Sequence, residues 1–190
     1  MKISETRVFR GPNLYAHFPV IRLTLDLGIM EQYPSAKVPG FSEGLFGALP
    51  TLHEHGCSYG ETGGFQRRVV EDEGTWFGHI LEHVAIEIQQ RAGADVTFGK
   101  TRSTDKEGEY HVIYAYEEER VGVAAGNLAL KLLHDLIPEE IDKDLPRVEG
   151  FQFEDELNDL IEFAQRRQFG PSTASLVRAA EERGIPWLRL

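Results

Sequence analysis

Apolar and polar residues alternate over 20–27, with Ile21, Leu23, Leu25 and Leu27 on one face and Arg22, Thr24 and Asp26 on the other. That period of two predicts a half-buried strand. It recurs over 109–116, where Tyr110, Val112, Tyr114 and Tyr116 share one face and His111, Ile113 and Ala115 the other. Residues 2–10 and 95–104 read as two further strands, with 105–108 joining the last pair as a hairpin. Over 74–93 (GTWFGHILEHVAIEIQQRAG) the pattern turns helical, with Thr75 as the expected N-cap and Gly93 as the C′ stop. A short helix is predicted over 41–49, capped by Ser42 and stopped by Pro50. Longer helices follow at 119–136, 153–168 and 172–183, the last two separated by Gly170-Pro171. Residues 31–40 and 51–65 are predicted as loops, and 185–190 as the start of a strand. These elements predict an α+β fold: a mainly antiparallel sheet packed by a central buried helix, with a helical C-terminal part. An acidic, proline-bounded stretch divides the chain into an N-terminal α+β domain (1–137), a linker (138–150) and a helical segment (151–190). The chain stops at the last predicted strand without a turn or partner, as expected for a piece of a longer protein.

The helix at 74–93 carries the most informative chemistry. His79, Glu82 and His83 form an H-x-x-E-H pattern, and residues three and four apart share a helix face. Two imidazoles one turn apart can hold one metal ion, with the neighbouring carboxylate as proton acceptor. This order of residues is the inverzincin pattern. Trp76, Phe77, Ile80, Leu81, Val84 and Ile88 lie roughly opposite, while Ile86 falls within the His face. A helix apolar nearly all round is a buried one, and buried ionisable groups need partners. Core histidines satisfied by hydrogen bonds are the plainer reading. Upstream, the loop 51–65 (TLHEHGCSYGETGGF) gathers His53, Glu54, His55 and Cys57 among four glycines and can supply a further ligand. Glu117, Glu118 and Glu119 read as a solvated helix cap, with a distant ligand as the sharper alternative. No phosphate-binding glycine motif and no G-x-S-x-G elbow occurs.

Charge and composition narrow the classes. The 190 residues carry 31 acidic against 20 basic side chains, a formal net charge of −11, which disfavours nucleic acid as a partner and suits a cationic one. Hydrophobic residues make up 41%, enough for a real core. One cysteine excludes an internal disulfide. With no early apolar run and no membrane-length stretch, a cytoplasmic protein without a membrane partner is expected.

Five stretches together resemble the N-terminal domain of cyanophycin synthetase: RVFRGPN at 7–13, EHGCSYGETGGF at 54–65, EGTWFGHILEHVAIEIQ at 73–89, FGKTR at 98–102, and FGPSTASLVRAAEERGIPWLRL at 169–190. The resemblance implies a large, homo-oligomeric cytoplasmic enzyme that uses ATP to polymerise aspartate and arginine into multi-L-arginyl-poly-L-aspartate. ATP and Mg belong to the ATP-grasp and Mur-ligase-like domains that would follow residue 190. In that family the N-terminal part resembles a platform for the growing polymer, and in some members a metal-dependent peptidase that cuts polymer into primers.

Two functions therefore compete. In the first, zinc is held by His79, His83 and a third ligand, Cys57 by preference or else His55, and Glu82 acts as general base. S-ribosylhomocysteine lyase resembles such a site as well, so hydrolysis does not follow from the motif alone. In the second, the domain is a non-catalytic cyanophycin-binding platform whose carboxylates hold guanidinium groups. A pure scaffold for the partner domains is the third reading.

Overall fold

The alternating segment becomes β2 (Val20–Asp26), the most buried strand of the sheet, because both of its neighbours cover it. In this computed structural model, which describes residues 1–187, β2 lies between β1 (Lys2–Phe9) and β4 (Glu109–Ala115). The order β1-β2-β4-β3 ends on β3 (Gly99–Ser103), and every pairing is antiparallel. One face of the sheet carries Leu23, Leu25, Val112 and Tyr114, all buried. Against it lie α3 (Phe77–Arg91) and α4 (Glu119–Leu136). The fold is thus α+β with a four-stranded antiparallel sheet, as the periodicities predict.

α3 is buried along most of its length, from Phe77 to Gln89. Its C-terminus closes as a Schellman motif: Gly93 N–H bonds Gln90 O at 2.9 Å and Ala94 N–H bonds Gln89 O at 3.0 Å. Gly93 adopts φ +93°, which only glycine takes without strain. α4 begins where the Glu118 carboxylate accepts the Val121 N–H at 2.8 Å, so this glutamate caps the helix it precedes. Gly122 and Gly126 let α4 lie close on the sheet, and the buried Tyr114 hydroxyl donates to Gly122 O at 3.1 Å.

The remaining helices are α1 (Phe41–Ala48), α2 (Gly64–Val70), α5 (Phe153–Arg167) and α6 (Pro171–Glu181). α5 buries Phe153, Leu157 and Leu160 in the same apolar core as the sheet. Arg167 pairs with Glu118 at 2.6 Å and Lys131 with Glu156 at 2.6 Å, which ties α5 to α4. Among the described residues no helix is long and apolar enough to cross a membrane.

Several local expectations are corrected. Thr75 does not cap α3; Trp76 occupies that position without a side-chain bond, and the Thr75 hydroxyl turns to His79 instead. Ser42 does not cap α1, which starts after a left-handed Gly40, while the Ser42 hydroxyl donates to Glu43. The 51–65 stretch contains short 3-10 turns at Pro50–Glu54 and Cys57–Tyr59 and runs into α2. Residues 95–98 precede β3 rather than belonging to it. Of the strand predicted at 185–190, residues 188–190 lie outside the described residues, and 185–187 are not strand.

Two glycine substitutions test the packing of α4. Ala gains about 1 kcal/mol over Gly in a helix, but a Cβ on Gly126 would fall on the Tyr114 hydroxyl, and overpacking costs roughly 1–3 kcal/mol. Gly126→Ala is therefore expected to lower the urea midpoint. Gly47→Ala in α1, where nothing lies within 4 Å, is expected to raise it. A rise in both would show that the Tyr114 contact relaxes freely.

Candidate metal centre

α3 points His79, His83 and Glu87 toward the 51–65 segment and Glu82 toward β3, while its apolar residues are committed to the sheet and α4. Cys57 reaches the same place from its 3-10 turn. It adopts φ +49°, a left-handed conformation that costs a non-glycine residue about 1 kcal/mol or more. The turn is tight enough that a side chain on Gly64 would collide with the Gly56 carbonyl, which explains glycine at that position.

Ligand atoms of Cys57, His79 and His83 all lie within 4.8 Å of one another. Cys57 Sγ stands 3.2 Å from His79 Nε2, and the Thr75 hydroxyl lies 3.0 Å from His79 Nδ1. When Nδ1–H donates to Thr75, the Nε2 lone pair faces the thiol. Phe65 stacks on the His83 ring with centroids 4.1 Å apart and seals one side of the group. His55 lies outside the trio. Its Nδ1 is 3.0 Å from His83 Nδ1 and its Nε2 is 3.0 Å from Glu87 Oε2. Glu87 also accepts the Thr51 hydroxyl. His53 stacks on Phe46 instead of joining the cluster. The glutamates 117–119 serve elsewhere: Glu117 takes the Asp95 N–H, Glu118 caps α4 and Glu119 pairs with Arg10.

Glu82 is 6% exposed and sits beside β3. The Thr101 hydroxyl donates to its Oε2 at 2.6 Å. Gly99 leaves the room the carboxylate needs, since a Cβ there would overlap it. Burial pushes the Glu82 carboxyl up to about 7, against the opposing pull of Thr101 and the Arg102 charge. Burial lowers His79 to about 4, helped by Arg68, and His83 to about 2, helped by His79 and His55, so both imidazoles are neutral with lone pairs free to bind. Burial works to raise Glu87, but hydrogen bonds from His55 and Thr51 bring it below the usual carboxylate value. The group opens on a cavity of about 1170 Å³, whose lining also includes Trp76, Arg68 and residues 97–102.

Sequence reasoning missed Glu87, Thr51, Thr101 and Gly99. Glu87 had a readable signal, lying four residues after His83 on the same helix face. The other three lie outside α3, Thr51 in a 3-10 turn that precedes it and Gly99 and Thr101 on the strand that follows it.

A family model described as the cyanophycin synthase-like N-terminal domain matches residues 22–138. The whole chain is 41% identical to the cyanophycin synthetases of Trichormus variabilis and Synechocystis sp., covering 20% and 21% of their lengths. It is 39% identical to that of Geminocystis herdmanii, again over 21% of the relative. The chain thus spans about a fifth of the length of these curated relatives.

The buried ionisable groups set the pH dependence of the metal-free protein. The two histidines have folded values below their ordinary 6.5, so the unfolded chain binds more protons and stability falls as pH drops below about 6.5. Glu82 acts in the opposite sense. Its folded value lies above the ordinary 4.5, so its contribution is full below 4.5 and lost as pH rises through about 7. The melting temperature is expected to fall from pH 7 to pH 4.5. Glu82→Gln should steepen the fall and His83→Gln should flatten it. A wild-type profile that His83→Gln leaves unchanged would contradict the neutral buried imidazole.

Proposed function

The chain belongs to the cyanophycin synthase-like N-terminal domain family, and on that premise we propose that it serves a cyanophycin synthetase as a zinc-dependent endopeptidase domain that cuts cyanophycin into primers. The reading rests above all on the Cys57–His79–His83 group with the neighbouring Glu82, at the wall of a large open cavity, where His83 and Glu82 are buried and Cys57 and His79 partly so. One thiol and two neutral imidazoles are a donor set suited to zinc, and three protein ligands leave a coordination position open. When bound, zinc would acidify water and polarise the carbonyl of the bond to be cut. Glu82 takes the proton of the attacking water at the carboxylate oxygen that Thr101 leaves free. It then returns that proton to the departing amine nitrogen, so the amide C–N bond breaks and the water oxygen stays on the carbonyl carbon. A carboxyl near 7 is matched to both transfers. Thr75 orients His79, and the His55–Glu87 pair steadies His83 from behind; Cys57 is the third ligand and His55 a supporting partner.

The ligase activity of the whole enzyme, which polymerises aspartate and arginine with ATP and Mg, is assigned to ATP-grasp and Mur-ligase-like domains, in a homo-oligomer. A purely non-catalytic platform needs no thiol and two neutral imidazoles gathered within 4.8 Å of one another next to a buried carboxyl, which is why the hydrolase reading is preferred to it.

Glu82→Gln keeps size and helix propensity while removing the base. Cleavage of cyanophycin to shorter chains is expected to fall about 10²–10⁴-fold with zinc still bound. His79→Ala and Cys57→Ser should lose zinc and cleavage together. Chain length by gel filtration and zinc content by elemental analysis give the two readouts. Full cleavage by a Glu82→Gln protein that retains zinc would remove Glu82 from catalysis.

A further inference from the structure

Among the described residues β3 is an edge strand and pairs only with β4. Two bonds fix which of its backbone groups are used: Ala115 N–H to Phe98 O at 3.0 Å and Thr104 N–H to Glu109 O at 3.0 Å. An antiparallel ladder alternates hydrogen-bonded and non-bonded pairs. Lys100 and Arg102, in register with Ile113 and His111, therefore spend their backbone groups on β4. Gly99, Thr101 and Ser103 turn theirs outward. That outward edge forms part of the wall of the cavity containing His79, Glu82 and His83, and Glu82 itself is bonded to Thr101. The Thr101 carbonyl on this edge is held by the neighbouring Arg102 guanidinium at 3.1 Å, a side-chain contact that a strand would displace, and an edge row of N–H and C=O groups is a template for another strand.

The side chains of β3 say what kind of strand. Gly99 and Thr101 face α3, so by the pleat Lys100 and Arg102 emerge on the other side of the sheet. Among the described residues neither is within ion-pair distance of a carboxylate. In a chain of net charge −11, two cations without a carboxylate partner among the described residues stand side by side on a strand that borders the metal centre. Local charge at this edge is thus opposite to that of the molecule and complements carboxylates, not guanidinium groups.

We propose that the edge of β3 receives an extended, carboxylate-bearing peptide main chain as a fifth strand of the sheet, laying an amide of that chain beside Glu82 and the Cys57–His79–His83 group. The docking stands on the edge and its charge; only the fate of the amide rests on the hydrolase reading. Main-chain pairing holds the ligand irrespective of its side chains. Every second side chain of the added strand then projects toward Lys100 and Arg102, where a terminal carboxylate is held. A poly-aspartate backbone whose arginyl branches each carry a free carboxylate beside a guanidinium is a ligand of this class, held here through the carboxylates, and cleavage beside Glu82 would fall in that backbone rather than in a side-chain linkage.

The test is residue-resolved amide hydrogen exchange on metal-free protein, with and without a synthetic multi-L-arginyl-poly-L-aspartate oligomer. The amides of Gly99, Thr101 and Ser103 are expected to exchange fast alone and about tenfold or more slower with oligomer. Those of Lys100 and Arg102, already bonded, should change little. Lys100→Glu with Arg102→Glu should weaken oligomer binding about tenfold while zinc uptake is unchanged. No binding, binding without protection at the three outward amides, or uniform protection along the strand would overturn the proposal. Alternate protection without cleavage by the zinc-loaded protein would sustain the docking and overturn the hydrolase reading. Cleavage without alternate protection would do the reverse.

Discussion

Everything in the site depends on the burial of α3. Its apolar side is packed against the sheet and α4, which fixes the rotation of the helix and turns His79 and His83 to the 51–65 segment and Glu82 to β3. These groups are largely buried in the cavity wall, so they cannot keep their ordinary protonation states. Burial strips the imidazoles of protons and gives one to Glu82 near neutral pH. A helix that met only the apolar requirement would have placed leucines at these positions at lower cost. The fold instead holds three polar groups in the cavity wall and satisfies them one by one, through Thr75, Thr101, His55 and each other.

That arrangement links stability to chemistry. The hydrogen bonds that make burial tolerable also set orientation. Thr75 settles which nitrogen of His79 faces Cys57, and Thr101 engages one carboxylate oxygen of Glu82 and leaves the other free. The strain at Cys57 is held by the glycines around it, where the chain folds back so closely that Gly64 rests on the Gly56 carbonyl. β3 contributes on both sides: its inner face partners Glu82, and its outer edge stays unpaired beside the cavity.

The sign of the local charge is a second consequence of tertiary structure. A net charge of −11 suggests a surface that collects cations. Many of the acidic groups are paired with arginines and lysines or occupy helix termini. Arg68, Lys100 and Arg102 line the cavity. The field a ligand meets at the site is set by these few groups at close range, since screening mutes exposed charges farther away than about 10 Å.

By itself the sequence determined where most strands and the long helices fall along the chain, because period-two and helical apolar patterns are local properties of the chain. It also determined that His79, Glu82 and His83 share a face, since helix geometry alone fixes that, and its stretches at 54–65 and 73–89 carried the family resemblance. The short turns within 51–65 and the start of α2 were not legible, because glycine permits many backbone conformations and declares none. Thr75 illustrates the limit well: its local chemistry is that of a cap, but the nearby imidazole competed for the hydroxyl and won. Only the tertiary structure chose Cys57 for the trio and set His55 behind His83, because both lie in one loop at similar reach and the choice turns on ångström-scale packing of Phe65 and the glycines. It alone brought Thr101, Gly99 and Thr51 to α3, and it alone left one edge of β3 open, since strand order follows from how the sheet closes over its core and not from the pattern of any single strand.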